Sequence, residues 1–429
     1  MTAVAKARPI RLGVLGHGTV GSAFVRLVGR QTEAIASRSG IRLEVTRIAV
    51  RDASRHLNAQ HLCTDAASVV NDPNIDVVVE LMGGVEVPHK LILGALKNGK
   101  PVVTANKALL ARHGAELFRA ADEAGIDLLF EAAVCGGIPL IRPLRESLRG
   151  EPIRRILGIV NGTTNYILTK MSEDGASYSD ALSAAQSLGY AEADPTADVQ
   201  GHDAAAKIAI IASIAFGRNV VVGDVYTEGI TKVTAADIAI AQRLGYAVKL
   251  LALAESDQLT GRVSVRVHPA MVPKHHPLAT VRDSFNAVVV DGEASGSLMF
   301  YGRGAGGDPS ASSVLGDVID AAINLGKGTH ATLGHLRVAQ FMPISETSNE
   351  YLLGLEVSDK PGVLHAVTGV FARNVVSIRA AEQDGIGNGA RLVFLTHLAN
   401  EAAMQSCIAE LMRLDVVMHV GALLRVIGD

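Results

Sequence analysis

The chain has 429 residues, a net charge of -3, 48% hydrophobic and 19% charged residues, and no tryptophan. This length exceeds one hydrophobic core and the composition excludes a mostly disordered chain, so we expect two or three globular domains. The charge gives no basis for binding nucleic acid or an anionic membrane, and the most apolar run, 208–216, is shorter than the roughly 20 residues that span a bilayer.

Two further features concern the location of the protein. Residues 1–9 lack the apolar segment of a signal peptide, so we expect a short disordered lead there. The three cysteines are odd in number and widely spaced, which gives neither a disulfide framework nor a metal motif. A cytoplasmic location is therefore expected.

Residues 10–140 alternate short apolar runs with helical stretches. Strands are predicted for the runs rich in Val, Ile and Leu, which are 10–16, 43–51, 75–83, 101–106 and 126–134. Continuous apolar strands separated by helices are typical of a parallel sheet buried on both faces. We predict the α/β class, with a Rossmann-type doubly wound parallel sheet over 10–140.

Two further domains follow along the chain. Residues 141–325 mix strands and helices less regularly and predict an α+β domain for substrate binding and dimerisation, whose last helix, 309–325, is expected to return to the Rossmann domain. A polar connection follows over 326–349. Residues 350–429 predict a ferredoxin-like βαββαβ domain.

A glycine loop joins the first predicted strand to the first helix. The sequence GVLGHGTVG contains the spacing Gly-x-Gly-x-x-Gly at Gly16, Gly18 and Gly21, and the helix begins at Thr19 and Val20. Such glycines allow a tight turn, close approach of a pyrophosphate and close packing of helix on strand, while the helix N-terminus attracts phosphate. We predict a nicotinamide dinucleotide site; the alternative is a glycine-rich turn without ligand.

The end of the second strand bears on the choice of cofactor. An acidic residue there favours NAD, whereas a cation favours the 2′-phosphate of NADP. Arg51 takes this place and Arg55 is nearby, so NADP is favoured; Asp52 keeps NAD open.

Two lysines are candidate catalytic groups. Lys107 follows a predicted buried strand, at the edge where parallel sheets bind ligands. Lys207 is the only charge in the apolar stretch AAAKIAIIASIAF, and Asp203 lies four residues before it on the same helical face. Burial lowers and Asp203 raises the pKa of such a lysine, a balance suited to proton transfer. The alternative is a structural ion pair.

The chain resembles homoserine dehydrogenases over about 10–330. The matching segments are GHGTVG, TANKALLA, EAAVCGGIPLI, NGTTNYIL, LGYAEADPTADVQGHDAAAK and YGRGAGGDPSASSVLGD. The C-terminal unit resembles an ACT regulatory domain through DKPGVLHAVTGVFARNVVSI. The arrangement is similar to monofunctional members of the family, with no aspartate kinase module before the Rossmann domain.

The resemblance implies reversible NAD(P)-dependent interconversion of L-homoserine and L-aspartate 4-semialdehyde, toward threonine, methionine and isoleucine. It assigns Lys207 as proton donor and acceptor, places Lys107 near the nicotinamide, and has Glu192 and Asp203 bind the amino acid with Asp198 nearby. Gly189 and Gly306 match cofactor-contacting positions.

The resemblance also implies a monovalent cation, Na⁺ or K⁺, bound by main-chain carbonyls in the segment containing Glu131, Val134, Gly136 and Ile138. A homodimer or homotetramer is expected, with threonine as the effector of the ACT domain. The family's glycine before the second ACT strand is replaced by Asn374-Val375, and a positive φ would tolerate Asn but not Val.

Two alternative functions remain open at this point. One is a dehydrogenase of another small amino-acid semialdehyde, built on the same Rossmann half. The other is a non-catalytic sensor of NADP and an amino acid, although a sensor needs no proton-transfer lysine.

Overall fold

A computed structural model describes residues 9–56, 59–386 and 389–428. The predicted disordered lead, 1–9, lies outside these residues except for Pro9. Within the described part of the chain, no helix is both long and apolar enough to cross a bilayer.

The first domain is built on a parallel sheet. Its elements are β1 (Ile10–Leu15), α1 (Thr19–Ser39), β2 (Leu43–Ala49), β3 (Leu62–Cys63), α2 (Ala66–Asn71), β4 (Val77–Glu80), α3 (Glu86–Lys97), β5 (Val102–Thr104), α4 (Lys107–Ala124) and β6 (Leu128–Leu129). The strand order is β3-β2-β1-β4-β5-β6, all pairs parallel. The predicted doubly wound sheet is confirmed, since this is the order of a Rossmann domain.

The second domain packs helices against an antiparallel sheet. Its elements are β7 (Ile153–Ile159), α5 (Gly162–Glu173), α6 (Tyr178–Ser187), α7 (Thr196–Val199), α8 (His202–Phe216), β8 (Arg218–Asn219), β9 (Tyr226–Thr227), α9 (Ala235–Arg243), β10 (Tyr246–Ser256), β11 (Val263–Pro273), β12 (Phe285–Gly292) and β13 (Gly296–Arg303). Strands β10 and β13 were not expected from the sequence. Strand β10 is buried almost throughout. Such a run lacks the alternation of hydrophobic and polar residues by which a strand is recognised in a sequence.

Helix α10 (Gly307–Lys327) follows β13 and returns to the first domain. It packs along α1, and its Val314 and Val318 join a core that also contains Val14 and Phe24. One face of the parallel sheet is therefore covered by a helix from far along the chain.

The C-terminal unit has the predicted βαββαβ order. Its elements, with the strands that precede it, are β14 (Arg337–Val338), β15 (Ser348–Asn349), β16 (Tyr351–Ser358), α11 (Val363–Arg373), β17 (Ile378–Ile386), β18 (Gly389–Thr396), β19 (Ala399–Asn400), α12 (Glu401–Leu411) and β20 (Val417–Val426). Strand β14 pairs with β8 and β15 with β19, so the connecting segment is anchored at both ends.

The second and third domains share one sheet, because β20 pairs in parallel with β11. Arg425 of β20 is fully buried at this junction. Its guanidinium donates to Glu401 of α12 at 2.6 Å and to Glu228 of the second domain at 2.7 Å. A buried cation costs free energy unless it is paired in this way. The ion pairs of Arg425 therefore hold β20 in one register against β11.

Candidate active site

Helix α8 carries an ion pair at its buried N-terminal end. It begins after Gly201, whose φ of +83° favours glycine. Lys207 Nζ donates to Asp203 Oδ2 at 2.7 Å, one helical turn away, and to the main-chain oxygen of Val160 at 2.7 Å. The side chains of Lys207 and Asp203 are only 9% and 7% exposed. The i, i+4 spacing therefore places a charged pair inside an otherwise apolar helix.

Lys107 reaches the same carboxylate from the first domain. It opens α4, whose preceding residue Asn106 caps the helix by accepting a hydrogen bond from Leu109 N. Lys107 Nζ lies 2.6 Å from Asp203 Oδ1, and its side chain is 43% exposed. One carboxylate thus lies between two ammonium groups, one buried and one open to solvent.

Asn161 completes the cluster, and sequence reasoning assigned it no role. Its amide nitrogen donates to Asp198 at 2.7 Å and to Asp203 at 2.9 Å. Its amide oxygen accepts from Thr164 N and so caps α5. An Asn at a strand end before a helix is a capping signal, but nothing in the local sequence shows that the same amide faces α7 and α8.

The charges set the protonation states of the pair. Burial disfavours the Asp203 carboxylate, yet Lys207 and Lys107 more than offset this and hold its pKa well below the ordinary value. Burial is the largest single effect and lowers the pKa of Lys207, but Asp203, Cys135 and Asp198 together raise it by more, so the net shift is upward. In this arrangement Lys207 is an ammonium and Asp203 a carboxylate.

The third predicted carboxylate, Glu192, lies apart from this cluster among the described residues. It is exposed on the loop between α6 and α7, where its main-chain oxygen accepts a hydrogen bond from Gln186. Gly189 lies on the same loop with a φ of +74°. Thr163 holds the loop by donating to the Tyr190 oxygen at 2.6 Å.

The glycine loop packs closely against backbone at Gly16 and Gly21 and is open at Gly18. A Cβ on Gly16 would lie 2.6 Å from the Leu81 oxygen, and one on Gly21 would lie 2.3 Å from the Gly16 oxygen. At Gly18 no described atom lies within 4 Å of that position. Gly18 also caps α1 without a side chain, so the amides that open α1 face an open space suited to phosphate.

Gly306 lies close to this loop. It precedes α10 with a φ of +128°. A Cβ on the next residue, Gly307, would lie 3.2 Å from the Thr19 oxygen. The N-termini of α1 and α10 therefore meet at the glycine loop, although almost 300 residues separate them along the chain.

The end of β2 presents an exposed cation. Arg51 is exposed just beyond the strand. The contacts of the Asp52 carboxylate are local. It accepts hydrogen bonds from Ser54 N and Ser54 Oγ at 3.0 and 2.6 Å and forms an ion pair with Arg55.

The segment predicted to bind a cation is buried and irregular. The Glu131 carboxylate accepts three amides, those of Leu140, Ile141 and Arg142, at 2.6 to 2.8 Å. These three amides occupy the carboxylate, so an ion in this segment would bind the main-chain carbonyl of Glu131 instead. Further along the segment, Gly136 has a φ of +49°.

Polar atoms near this segment fit a small hard cation. The Gly136 carbonyl accepts from Ser313 of α10 at 2.7 Å and retains a second lone pair. A Cβ on Gly136 would lie 2.6 Å from the Gly304 oxygen, and Gly304 packs on the Asn286 amide. Asn286 is buried, and neither polar atom of its side chain has a hydrogen-bond partner among the described residues. The second lone pair of the Gly136 oxygen and the amide oxygen of Asn286 are donors of the kind that a hard cation binds.

Glu80 supports the turn that carries Lys107, and the sequence analysis did not single it out. It is fully buried at the end of β4, accepts from Met82 N at 2.7 Å, and accepts from Thr104 Oγ1 at 2.5 Å. Thr104 Oγ1 in turn accepts from Asn106 N at 3.0 Å. Burial raises the pKa of Glu80 to about 7.

Sequence profiles of three known families match the chain in succession. The profile of the homoserine dehydrogenase NAD binding domain matches residues 16–131, that of homoserine dehydrogenase matches 139–319, and that of the ACT domain matches 351–415. The matched segments include the glycine loop, the two lysines and the C-terminal unit from β16 to α12, but not its last strand, β20.

Characterised relatives are similar over nearly the whole length. A homoserine dehydrogenase of Mycobacterium tuberculosis is 50% identical over 98% of both chains, and that of Corynebacterium glutamicum is 46% identical over 98% of this chain and 96% of its own.

Solved structures show the same likeness. The crystal structure of a homoserine dehydrogenase from Thiobacillus denitrificans superposes with a TM-score of 0.91 at 40% identity, over 98% of each chain. A hyperthermophilic archaeal homoserine dehydrogenase in complex with NADPH has a TM-score of 0.62 at 29% identity, over 74% of this chain and 98% of that one.

Proposed function

The chain belongs to the homoserine dehydrogenase family, and we propose that Lys207 is the proton donor and acceptor of its reaction while Asp203 and Lys107 assist it. The enzyme interconverts L-homoserine and L-aspartate 4-semialdehyde with a nicotinamide cofactor. One observation carries the assignment: the Asp203 carboxylate lies 2.7 Å from Lys207 Nζ and 2.6 Å from Lys107 Nζ.

The bound nicotinamide supplies hydride acceptance and donation. When the semialdehyde is reduced, its carbonyl oxygen gains negative charge and takes a proton from the Lys207 ammonium, which becomes a neutral amine. In the opposite direction the neutral amine takes the proton of the homoserine hydroxyl. Lys107 adds a second positive charge near the reacting oxygen, where such charge stabilises the transition state.

The substrate ammonium needs anionic partners. We assign this role to Asp203 and Asp198, which the Asn161 amide holds together, and to Glu192. Glu192 is exposed on the loop between α6 and α7, where its carboxylate is open to solvent.

We assign NADP as the preferred cofactor, held by the glycine loop (Gly16, Gly18, Thr19, Val20, Gly21), Arg51, Lys107, Gly189 and Gly306. Support for NADP over NAD comes from the exposed Arg51, because the Asp52 carboxylate that would otherwise bind a ribose is engaged with Ser54 and Arg55.

A monovalent cation, Na⁺ or K⁺, is assigned to the carbonyls of Glu131, Val134, Gly136 and Ile138. The buried Asn286 amide and the engaged Glu131 carboxylate support this assignment. The ion would hold the segment that joins the Rossmann sheet to the second domain.

The domain assignment follows the same proposal. Residues 10–140 with helix 309–325 bind the cofactor, 141–325 bind substrate and dimerise, and 350–429 regulate. Packing of α10 on α1 supports the first assignment.

Strand β13 is an edge strand exposing Met299 and Tyr301, which supports a dimer through the second domain. The free cysteines are compatible with a cytoplasmic location.

Threonine is proposed as the effector of the ACT domain. The shared sheet supports transmission, because Arg425 binds Glu401 of the ACT domain and Glu228 of the second domain. Glu228 precedes Gly229, which packs on Val199 and Gln200, just before the catalytic helix.

The proposal is tested by reduction of NADP⁺ with L-homoserine and, for comparison, L-serine. Lys207→Ala should lower kcat by about 10²- to 10⁴-fold, whereas Lys170→Ala, a surface lysine paired with Asp174, should not. A Lys207→Ala enzyme with the wild-type rate would refute the assignment. Threonine added to the wild-type assay tests the effector, and an unchanged rate at high concentration would contradict it.

A further inference from the structure

A cluster of metal-ligating side chains lies on helices α3 and α4, away from the residues assigned to catalysis. His89 of α3 faces His113 and Glu116 of α4. His89 Nε2 lies 3.0 Å from Glu116 Oε2, and His113 Nδ1 lies 3.9 Å from the same oxygen. The side chains are 19%, 37% and 46% exposed, so an ion from solvent can reach them.

The geometry fits a small divalent ion. One ligand atom from each residue lies within 4.8 Å of the other two. Zinc bonds of about 2.0–2.2 Å to nitrogen and oxygen place the ligands of a tetrahedral site roughly 3.3–3.6 Å apart. Shifts of about an ångström or less in flexible side chains would therefore bring all three atoms onto one ion.

The arrangement of the two imidazoles also points to a cation. Their ring centroids are 4.6 Å apart and the rings are tilted by 35°. One nitrogen of each ring, His89 Nε2 and His113 Nδ1, lies near the same carboxylate oxygen, Glu116 Oε2. His113 and Glu116 are three residues apart on one helical face, while His89 comes from the neighbouring helix. Two imidazoles and one carboxylate from two packed helices are a ligand set typical of zinc.

We propose that His89, His113 and Glu116 bind a divalent transition-metal ion of the zinc class, with water in the remaining position. The ion would cross-link α3 and α4. These helices begin at the same edge of the parallel sheet, where Asn106 of the α4 cap donates to the Gly84 oxygen just before α3 at 2.9 Å. Bound metal therefore stabilises the framework beside the turn that carries Lys107.

The experiment uses the full-length protein without a polyhistidine tag. Zn²⁺ binding is measured by calorimetry at pH 7.5, and Co²⁺ is used to report tetrahedral coordination by its visible absorption. We expect one site per chain in the micromolar range or tighter. His89→Ala and His113→Ala should each weaken binding by at least about tenfold.

The matched control is His335→Ala, since His335 is an exposed histidine outside the cluster and its removal should leave the affinity unchanged. Zn²⁺ should also raise the thermal midpoint of the wild type and of His335→Ala but not that of His89→Ala. If a histidine variant is unstable, Glu116→Gln tests the same site, with the same loss expected. Absence of Zn²⁺ binding, or binding that survives all three substitutions, would overturn the proposal.

Discussion

Asp203 and Lys107 belong to different domains, yet Asp203 Oδ1 and Lys107 Nζ are 2.6 Å apart. The other carboxylate oxygen binds Lys207. The carboxylate therefore has two functions in this structure: it favours the charged form of the buried lysine, and it joins the Rossmann domain to the second domain.

Asp203→Asn should move the pH profile of homoserine oxidation to lower pH. In the proposed mechanism oxidation needs a neutral Lys207, and Asp203 raises the pKa of Lys207, so the wild-type rate should increase toward alkaline pH. Without the carboxylate, burial dominates and lowers this pKa, which should shift the profile to lower pH. The measurement is kcat/KM against pH; Asp174→Asn, which removes the surface partner of Lys170 at the same spacing, should leave the profile unchanged. A profile that does not shift would show that Lys207 is not the titrating group.

Arg51→Ala should weaken NADP binding selectively. Loss of a charged contact to the 2′-phosphate should raise the KM for NADP⁺ by about tenfold or more, with little effect on the KM for NAD⁺. Steady-state kinetics with both cofactors check this. Arg30→Ala removes an exposed arginine further along α1 and should change neither constant. Equal losses for both cofactors after Arg51→Ala would contradict a role in phosphate recognition.

Val375→Gly should stabilise the protein. Val375 has a φ of +57° and is 89% exposed, so it bears backbone strain with little packing in return. Glycine relieves this strain, which is worth about 1–2 kcal/mol. Because glycine also loses more backbone entropy on folding, the net gain in the free energy of unfolding should be about 1 kcal/mol. Urea unfolding measures it, with Val338→Gly as control. Val338 is 85% exposed and is not among the described residues with positive φ, so its substitution should destabilise. Equal losses for both variants would exclude strain at Val375.

Glu80→Gln should become more stable than the wild type as the pH rises. Burial raises the pKa of Glu80 from 4.5 to about 7, so the folded state holds its proton more tightly than the unfolded state. This contribution to stability is present in full below pH 4.5 and is lost as the pH rises through 7. The difference in unfolding free energy between variant and wild type should therefore change by about 3 kcal/mol between pH 4.5 and 8, whereas Glu123→Gln on the surface should show little change. A pH-independent difference would mean that Glu80 ionises normally.

The sequence by itself determined the features that depend on neighbours along the chain. Runs of Val, Ile and Leu determined the parallel strands, because a strand buried on both faces needs them. The glycine spacing identified the loop before α1, and the spacing of Asp203 and Lys207 placed both on one helical face. The βαββαβ order of the last unit was predicted for the same reason, from local periodicity and turns.

Only the tertiary structure decided which distant groups meet. Asn161 caps α5 by a local rule, but its contact with Asp198 and Asp203 depends on how α5, α7 and α8 pack. The pairing of β20 with β11 around Arg425 is likewise a contact between elements far apart in sequence, and His89 meets His113 because α3 packs against α4. Local propensity and spacing act over a few residues, whereas these contacts depend on the packing of whole elements, and that packing gives Asp203 its partner in the other domain.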